Sequence, residues 1–246
     1  MVPLLRSLLQ DDNDSVKIMA VYSSTTVVQT MLGGQQHLAR EEIMPPLKSA
    51  VENKLVSWRL RFSVAEVAAQ MSEHLEQDIV NNDVVPMYEN LILDKEPEVK
   101  SEAVAKLFEL SQYASPSRMV EKLVPALLNI ATNDTSQHVR GSLALSICKI
   151  AKHIGKQHAI TYLIPPVVQL LKDQATEVRI ELMAHLRTLT EVIGTEEFDR
   201  SIIPHLIQLA TDKIWRVKLA LIKFIPQLAL FLDPSLFKER LEPVIM

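Results

Sequence analysis

Apolar residues recur three or four positions apart along almost the whole chain, in runs that come in pairs divided by a short polar turn. Between about residues 196 and 231, Ile203, Leu206, Ile207 and Ala210 form one run, Asp212 opens a turn, and Val217, Leu221, Phe224 and Leu228 form the next. This spacing lines up one apolar face of an α-helix. Two such helices joined by a tight turn make an antiparallel hairpin. The design returns upstream. Ile164, Val167, Leu170 and Leu171 precede Asp173, and Val178, Leu182, Leu186 and Leu189 follow it. Leu123, Leu127 and Ile130 pair with Val139, Leu143, Ile147 and Ile150; Val85, Tyr88 and Leu91 pair with Val99, Ala103 and Leu107. The first pair is expected to use Leu4, Leu5, Leu8 and Leu9, then Val16, Met19, Ala20 and Ser23. The second is less regular, with its turn at residues 53–57 and its second helix starting near Trp58. One hairpin has too much apolar face to bury alone, and stacking hairpins removes that surface from water.

Punctuation supports the same division. Pro3, Pro45, Pro86, Pro125, Pro165, Pro204 and Pro243 stand about 40 residues apart, a period typical of two-helix repeats. Each lies near the start of a first helix. A proline there bends the helix unless it falls in the first turn, because its ring clashes with the preceding turn and it lacks an N–H. Pro97 is expected in the first turn of a second helix, and Gly155 and Gly194 at helix ends. Gly33–Gly34 and Ser115, Pro116 and Ser117 mark longer connections. Two polar columns accompany the repeat: Asp11, Asn53, Asp94, Asn133, Asp173 and Asp212 in the turns, and Lys17, Arg59 or Arg61, Lys100, Arg140, Arg179 and Lys218 just after them. An Asp or Asn in a turn can hold helix-start N–H groups, and a basic residue one repeat away can bridge to it. A polar ladder between repeats is therefore predicted.

Composition fits helices and a sizeable core: 48% of the 246 residues are apolar, and only five are glycine. The net charge is -4 with both signs interspersed, which disfavours a nonspecific nucleic-acid binder. Cys148 is the single cysteine and lies in an apolar helical run, so it is expected in the core rather than in a disulfide or zinc site. No apolar run reaches the roughly 20 residues of a membrane span, and the segment MVPLLRSLL merges into the repeat rather than forming a signal peptide.

No catalytic motif stands out. GxSxG, HExxH and glycine-rich phosphate loops are absent, and the seven histidines are dispersed. No enzyme activity, metal or cofactor is expected. The candidate binding residues sit in the turns. Trp58–Arg59 and Trp215–Arg216 fall at turn-to-helix junctions, outside the main Leu and Val periodicity. A tryptophan there either plugs a gap between repeats or anchors a partner protein. Asp12, Asp14, Glu96, Glu98 and Glu177 would align along one row of turns and present negative potential, with Lys213, Arg59 and Arg216 dividing it into patches.

The early proline, the Asp turn and the Val-Arg or Val-Lys pair resemble HEAT repeats. Longer strings, including WRLRFSVAE, NNDVVPMYENLILDKEPEVKSEA, LLKDQATEVRIEL and ATDKIWRVKLALIKFIPQLA, are similar to the scaffold (A) subunit family of protein phosphatase 2A. The resemblance implies an all-α, right-handed α-α superhelix: a single HEAT solenoid with approximate units 1–38, 39–79, 80–117, 118–157, 158–196 and 197–235 and a partial unit 236–246. It implies a non-catalytic scaffold that positions regulatory B-type subunits relative to a catalytic phosphatase subunit. Trp215 and Arg216 would then face the catalytic subunit, and Trp58 and Arg59 the regulatory one. Neither direct nucleic-acid contact, membrane insertion nor an obligate homo-oligomer is expected, and the location implied is the cytoplasm, with the nucleus open. Leu241, Val244 and Ile245 begin a helix without a partner, so the chain is expected to be the middle of a longer solenoid. The alternative is a HEAT-repeat nuclear-transport receptor or other cargo-binding adaptor.

Overall fold

The computed structural model describes residues 1–31, 35–53 and 55–231. Gly33, Gly34, Pro243 and the partial unit 236–246 lie outside the described residues. The described residues contain helices and no strand. They fall into two compact units, Met1–Ala126 and Leu127–Met246.

The first unit carries α1 (Val2–Leu9) and α2 (Asp14–Gln29), α3 (Met44–Glu52) and α4 (Trp58–Met71), and α5 (Val85–Ile92) with α6 (Pro97–Ala105) and α7 (Leu107–Ser111). Within it α1 lies against α2, α5 lies against α6, and the second helices pack in sequence, α2 on α4 and α4 on α6. Helix α8 (Val124–Asn133) spans the division. The second unit continues with α9 (Gln137–Ile154), α10 (Ile164–Leu171), α11 (Thr176–Ile193), α12 (Thr195–Ser201), α13 (Ile203–Leu209) and α14 (Trp215–Phe231). Here α9 packs on α11 and α11 on α14.

The predicted apolar faces are buried in most pairs. Val85, Tyr88 and Leu91 are closed off in α5, and Val139, Leu143, Ile147 and Ile150 in α9. The face of α11 is Val178, Leu182, Leu186 and Leu189, and that of α14 is Val217, Leu221, Phe224 and Leu228. Cys148 is also buried, and its surroundings push the thiol up to about 12. Three faces differ from expectation. In α1, Leu4 and Leu8 are exposed and only Leu5 and Leu9 are buried, because the helix turns a narrower stripe toward α2. In α2, Met19 is 65% exposed and Ser23 is exposed; Ala20, Val21, Ser24, Val27 and Val28 are buried instead. Ser24 joins this face because its hydroxyl is satisfied by the Ala20 carbonyl at 2.9 Å, which removes the cost of burying it. In α13, Leu209 is buried while Ile207 and Ala210 are only partly so.

The marker prolines occupy the first turn of their helices, at Pro3, Pro45, Pro86, Pro165 and Pro204. Four of the first helices have a wider approach than periodicity alone suggests. A π-helical turn comes before α3, α5, α8 and α10, at Ala39–Ile43, Val80–Val84, Met119–Leu123 and Ala159–Leu163. The N–H of Met44 donates five residues back to Ala39, and Val85, Val124 and Ile164 do likewise to Val80, Met119 and Ala159. A proline follows each of these donors. In an unbroken α-helix its ring would collide with the carbonyl four residues earlier; the widened turn draws that carbonyl aside. The chain thus runs helically into each first helix instead of stopping at the proline.

Other punctuation falls as expected. Pro97 begins α6, and Gly155 and Gly194 end α9 and α11. These glycines adopt φ +83° and +88° with ψ near 160°, a region almost closed to side-chain-bearing residues. Each also starts the next helical turn: Ala159 donates to the Gly155 carbonyl, and Phe198 to that of Gly194. The second helix of the third pair breaks at Lys106, between α6 and α7.

Candidate partner-binding turns and grooves

Each turn between paired helices is held by an Asx side chain that accepts the N–H two residues ahead. The pairs are Asp11 with Asn13, Asn53 with Leu55, Asp94 with Glu96, Asp134 with Ser136, Asp173 with Ala175 and Asp212 with Ile214, at 2.8–3.0 Å. Asp134 replaces the predicted Asn133, whose side chain turns back to Asn129. The reason is register: Asp94, Asp134, Asp173 and Asp212 each lie three residues before the following helix begins, and Asn133 lies four before.

The basic column is the fourth residue of each second helix. In the first unit Arg61, buried with Asp94, sets its Nε and a terminal nitrogen on the two carboxylate oxygens at 2.7 and 3.1 Å and also donates to the Val56 carbonyl of its own turn. Arg59 takes no part in this. In the second unit Arg140 forks onto Asp173 at 2.6 and 3.0 Å while bonding the Asp134 carbonyl, and Asp173 raises its pKa. Arg179 holds Asp212 more loosely at 3.1 Å, bonds the Asp173 carbonyl, and leaves its buried Nε without a hydrogen bond among the described residues. Each arginine thereby ties its own turn to the aspartate of the next pair. Lys17 departs from the predicted ladder and pairs within α2, with Asp14 at 2.9 Å.

The binding candidates stand on these braced turns. In the first unit Asp12 is exposed in the α1–α2 turn and Asp14 begins α2. Ser57 caps α4, and the Arg59 guanidinium lies 4.5 Å over the half-buried Trp58 ring, so the pair forms one flat cation–π unit. Glu96 precedes α6 and Glu98 sits in its first turn, where the helix dipole favours a carboxylate. In the second unit Lys213 is exposed, Trp215 is 67% exposed, and Arg216 reaches back to Glu177 at 3.0 Å. Trp215 is therefore no plug between repeats. Glu177 and Arg216 are the only oppositely charged candidates that an ion pair brings together among the described residues.

Two grooves beside these turns escaped the sequence reading. One, of about 410 Å³, lies between α11 and α14, lined by the buried Met183 and Phe224 and by the exposed Trp215, Arg216, Leu219 and Lys223. The other, of about 400 Å³, lies between α9 and α11, lined by Gly141, Leu145, Glu177 and Glu181. Gly141 was the available signal: an interior glycine weakens a helix by about 1 kcal/mol relative to alanine. A Cβ at Gly141 would meet nothing within 4 Å, so packing does not demand it. In the first unit Tyr22 donates to Glu66 at 3.0 Å, and burial, with Glu66 and Glu109 nearby, raises the pKa of Glu102. No group of three potential metal ligands occurs among the described residues, and no described helix is long and apolar enough to cross a membrane.

Comparison with known proteins follows this geometry. The family described as PPP2R1A-like HEAT repeat matches residues 77–155, which hold the third and fourth helix pairs. Residues 156–246 match a family described as PIK3R4-like, middle domain. Over 128 residues the chain is 33% identical to the beta isoform of the 65 kDa regulatory A subunit of serine/threonine-protein phosphatase 2A from Homo sapiens. That stretch is 50% of this chain and 21% of the human protein; the counterpart from Mus musculus is 32% identical over 68 residues. Among solved structures, Kap121p bound to Nup53p superposes with a TM-score of 0.70 at 16% identity, covering 98% of this chain and 24% of that one. A designed armadillo repeat protein gives 0.57 at 17% identity, covering 93% and 100%. These structural likenesses establish the fold: a HEAT/armadillo-type helical solenoid. The chain spans about a fifth of the length of the human regulatory A subunit that it matches.

Proposed function

We propose that this chain is a non-catalytic scaffold segment that helps position a regulatory B-type subunit beside the catalytic subunit of a phosphatase 2A-type assembly. The 33% identity to the human phosphatase 2A scaffold, over a stretch of 128 residues, carries this reading. The approximate repeat bounds 1–38, 39–79, 80–117, 118–157, 158–196 and 197–235 belong to the same proposal, as does placement in the cytoplasm. Trp215, Arg216 and Lys213 are assigned to the catalytic subunit, and Trp58 and Arg59 to the regulatory one. Asp12, Asp14, Glu96, Glu98 and Glu177 would meet basic segments of the regulatory subunit. The exposure of the Trp215 ring supports its assignment, because an accessible tryptophan on a braced turn loses little conformational freedom on docking.

The test is binding of purified phosphatase 2A catalytic subunit to the chain and to its Trp215→Ala/Arg216→Ala variant. Retained helicity with at least about tenfold weaker binding is expected, as for a central interface anchor. Equal affinity of parent and variant removes the assignment of the turn, and no binding by the parent removes the scaffold reading for this segment. The cargo-adaptor alternative rests on likeness to karyopherins at 16% identity, which speaks for the fold alone.

A further inference from the structure

The two grooves of the second unit are neighbours with opposite rims. Between α9 and α11 the charged lining residues are Glu177 and Glu181, with no Lys or Arg. Between α11 and α14 they are Arg216 and Lys223, with no carboxylate. The Arg216–Glu177 ion pair joins the two rims, so each groove keeps one further charged residue deeper along its helix: Glu181 in the first, with His185 Nε2 3.1 Å from its carboxylate, and Lys223 in the second. Both have apolar walls, at Leu145 and Val178 in one and at Met183 and Leu219 in the other.

We propose that this pair of grooves docks an extended segment of a partner protein that carries a basic and an acidic side chain three residues apart. The basic side chain enters the α9–α11 groove over Gly141 and meets Glu181. The acidic one enters the α11–α14 groove and meets Lys223. An apolar side chain of the segment lies against Trp215 and Leu219.

The spacing comes from geometry. Packed helices stand about 8–10 Å apart, so two successive grooves repeat at that distance. In polyproline II conformation, residues three apart share a face and lie about 9 Å from one another. Such a segment crosses α11 with its charges in register. Mixed charge is the chemistry selected, because a segment of one sign would set a like charge against one of the two rims. Gly141 fits this role. No atom of the described residues lies within 4 Å of the place its Cβ would fill, so the groove stays open there for a long basic side chain. The inference holds for any partner of this chemistry and is independent of the phosphatase assignment.

The probe is a short synthetic peptide with lysine and glutamate three residues apart and proline and leucine between and beside them. Binding is read from Trp215 fluorescence in a Trp58→Phe background and from calorimetry. The mixed peptide should bind at least about tenfold more tightly than versions with two lysines or two glutamates. Gly141→Met fills the first groove from open space, so it should leave the thermal midpoint unchanged or higher while reducing binding at least about tenfold. Glu181→Lys should transfer preference to the two-glutamate peptide. Equal binding of the three peptides overturns the proposal, as does unchanged binding by Gly141→Met. Self-association of the chain that protects Trp215 and is not displaced by the mixed peptide also overturns it, by assigning the grooves to a second copy.

Discussion

Arg61 reaches from the second helix pair to the third and closes both carboxylate oxygens of Asp94 in one fork, with the pair sealed from solvent. Removing one partner of such a pair strands a buried charge. Asp94→Ala is expected to destabilise the first unit by about 3–5 kcal/mol. Arg216→Ala breaks an exposed pair with Glu177 and should cost about 0–1 kcal/mol. Urea denaturation of the two variants beside the parent checks the contrast; similar losses would mean that burial does not set the strength of these bridges. Arg61→Lys should recover little, since an ammonium cannot span two oxygens and a backbone carbonyl with the same planar fork.

Two glycines in the second unit should respond in opposite directions. Gly194 ends α11 at φ +88°, where a side chain strains the backbone, and Gly194→Ala should lower stability by about 1–3 kcal/mol. Gly141→Ala places a methyl in open space within α9 and should raise stability by about 0.5–1 kcal/mol. Thermal melts of both variants test this; a stabilised Gly194→Ala would contradict the backbone argument.

Burial raises the Cys148 thiol from 9.0 to about 12. At neutral pH the folded thiol should resist alkylation and react only after unfolding, which mass-shift labelling across a urea series can follow. Above about pH 9 the unfolded thiol ionises while the folded one stays protonated. The unfolded state then binds fewer protons, so stability should fall as pH rises past that point. Cys148→Ala should remove that part of the alkaline slope.

His153 and His205 are both held below the ordinary histidine pKa, chiefly by burial, with Lys152 and Lys172 adding to it respectively. Below about pH 6.5 the unfolded imidazoles take up protons before the folded ones do. Stability should therefore decline as pH falls from 6.5 toward the folded values. Melting temperatures between pH 7.5 and 5.5 should show a shallower decline in His153→Gln/His205→Gln; an unchanged slope would place the acid sensitivity elsewhere.

The helix pairs were legible because their apolar faces repeat at helical spacing and their turns carry Asx residues. Register was harder. Asn133 and Asp134 are equally able to hold a turn, and only the start of α9 at Gln137 selects Asp134. The same rule selects Arg61 over Arg59, since α4 begins at Trp58 and the bridging position is the fourth. Met19 looked like core because it is apolar at the right spacing, but the buried face of α2 is turned toward Val21 and Ser24. Of the candidate site, the exposure of Trp215 and the Glu177–Arg216 pair depend on how α11 and α14 lie together. The grooves arise between helices distant in sequence, so no local pattern announces them.

The widened turns before α3, α5, α8 and α10 have a consequence for how these repeats can change length. Each residue added to or removed from a helix turns everything before it by about 100° around the axis. A π turn already contains one residue more than an α turn would use, and it sits beside adjacent buried pairs such as Ile43–Met44 and Leu163–Ile164. These turns are places where one extra residue is accommodated without rotating the apolar face out of the core. They are slack in the helical phase, and a repeat that loses a residue there has the least far to rotate.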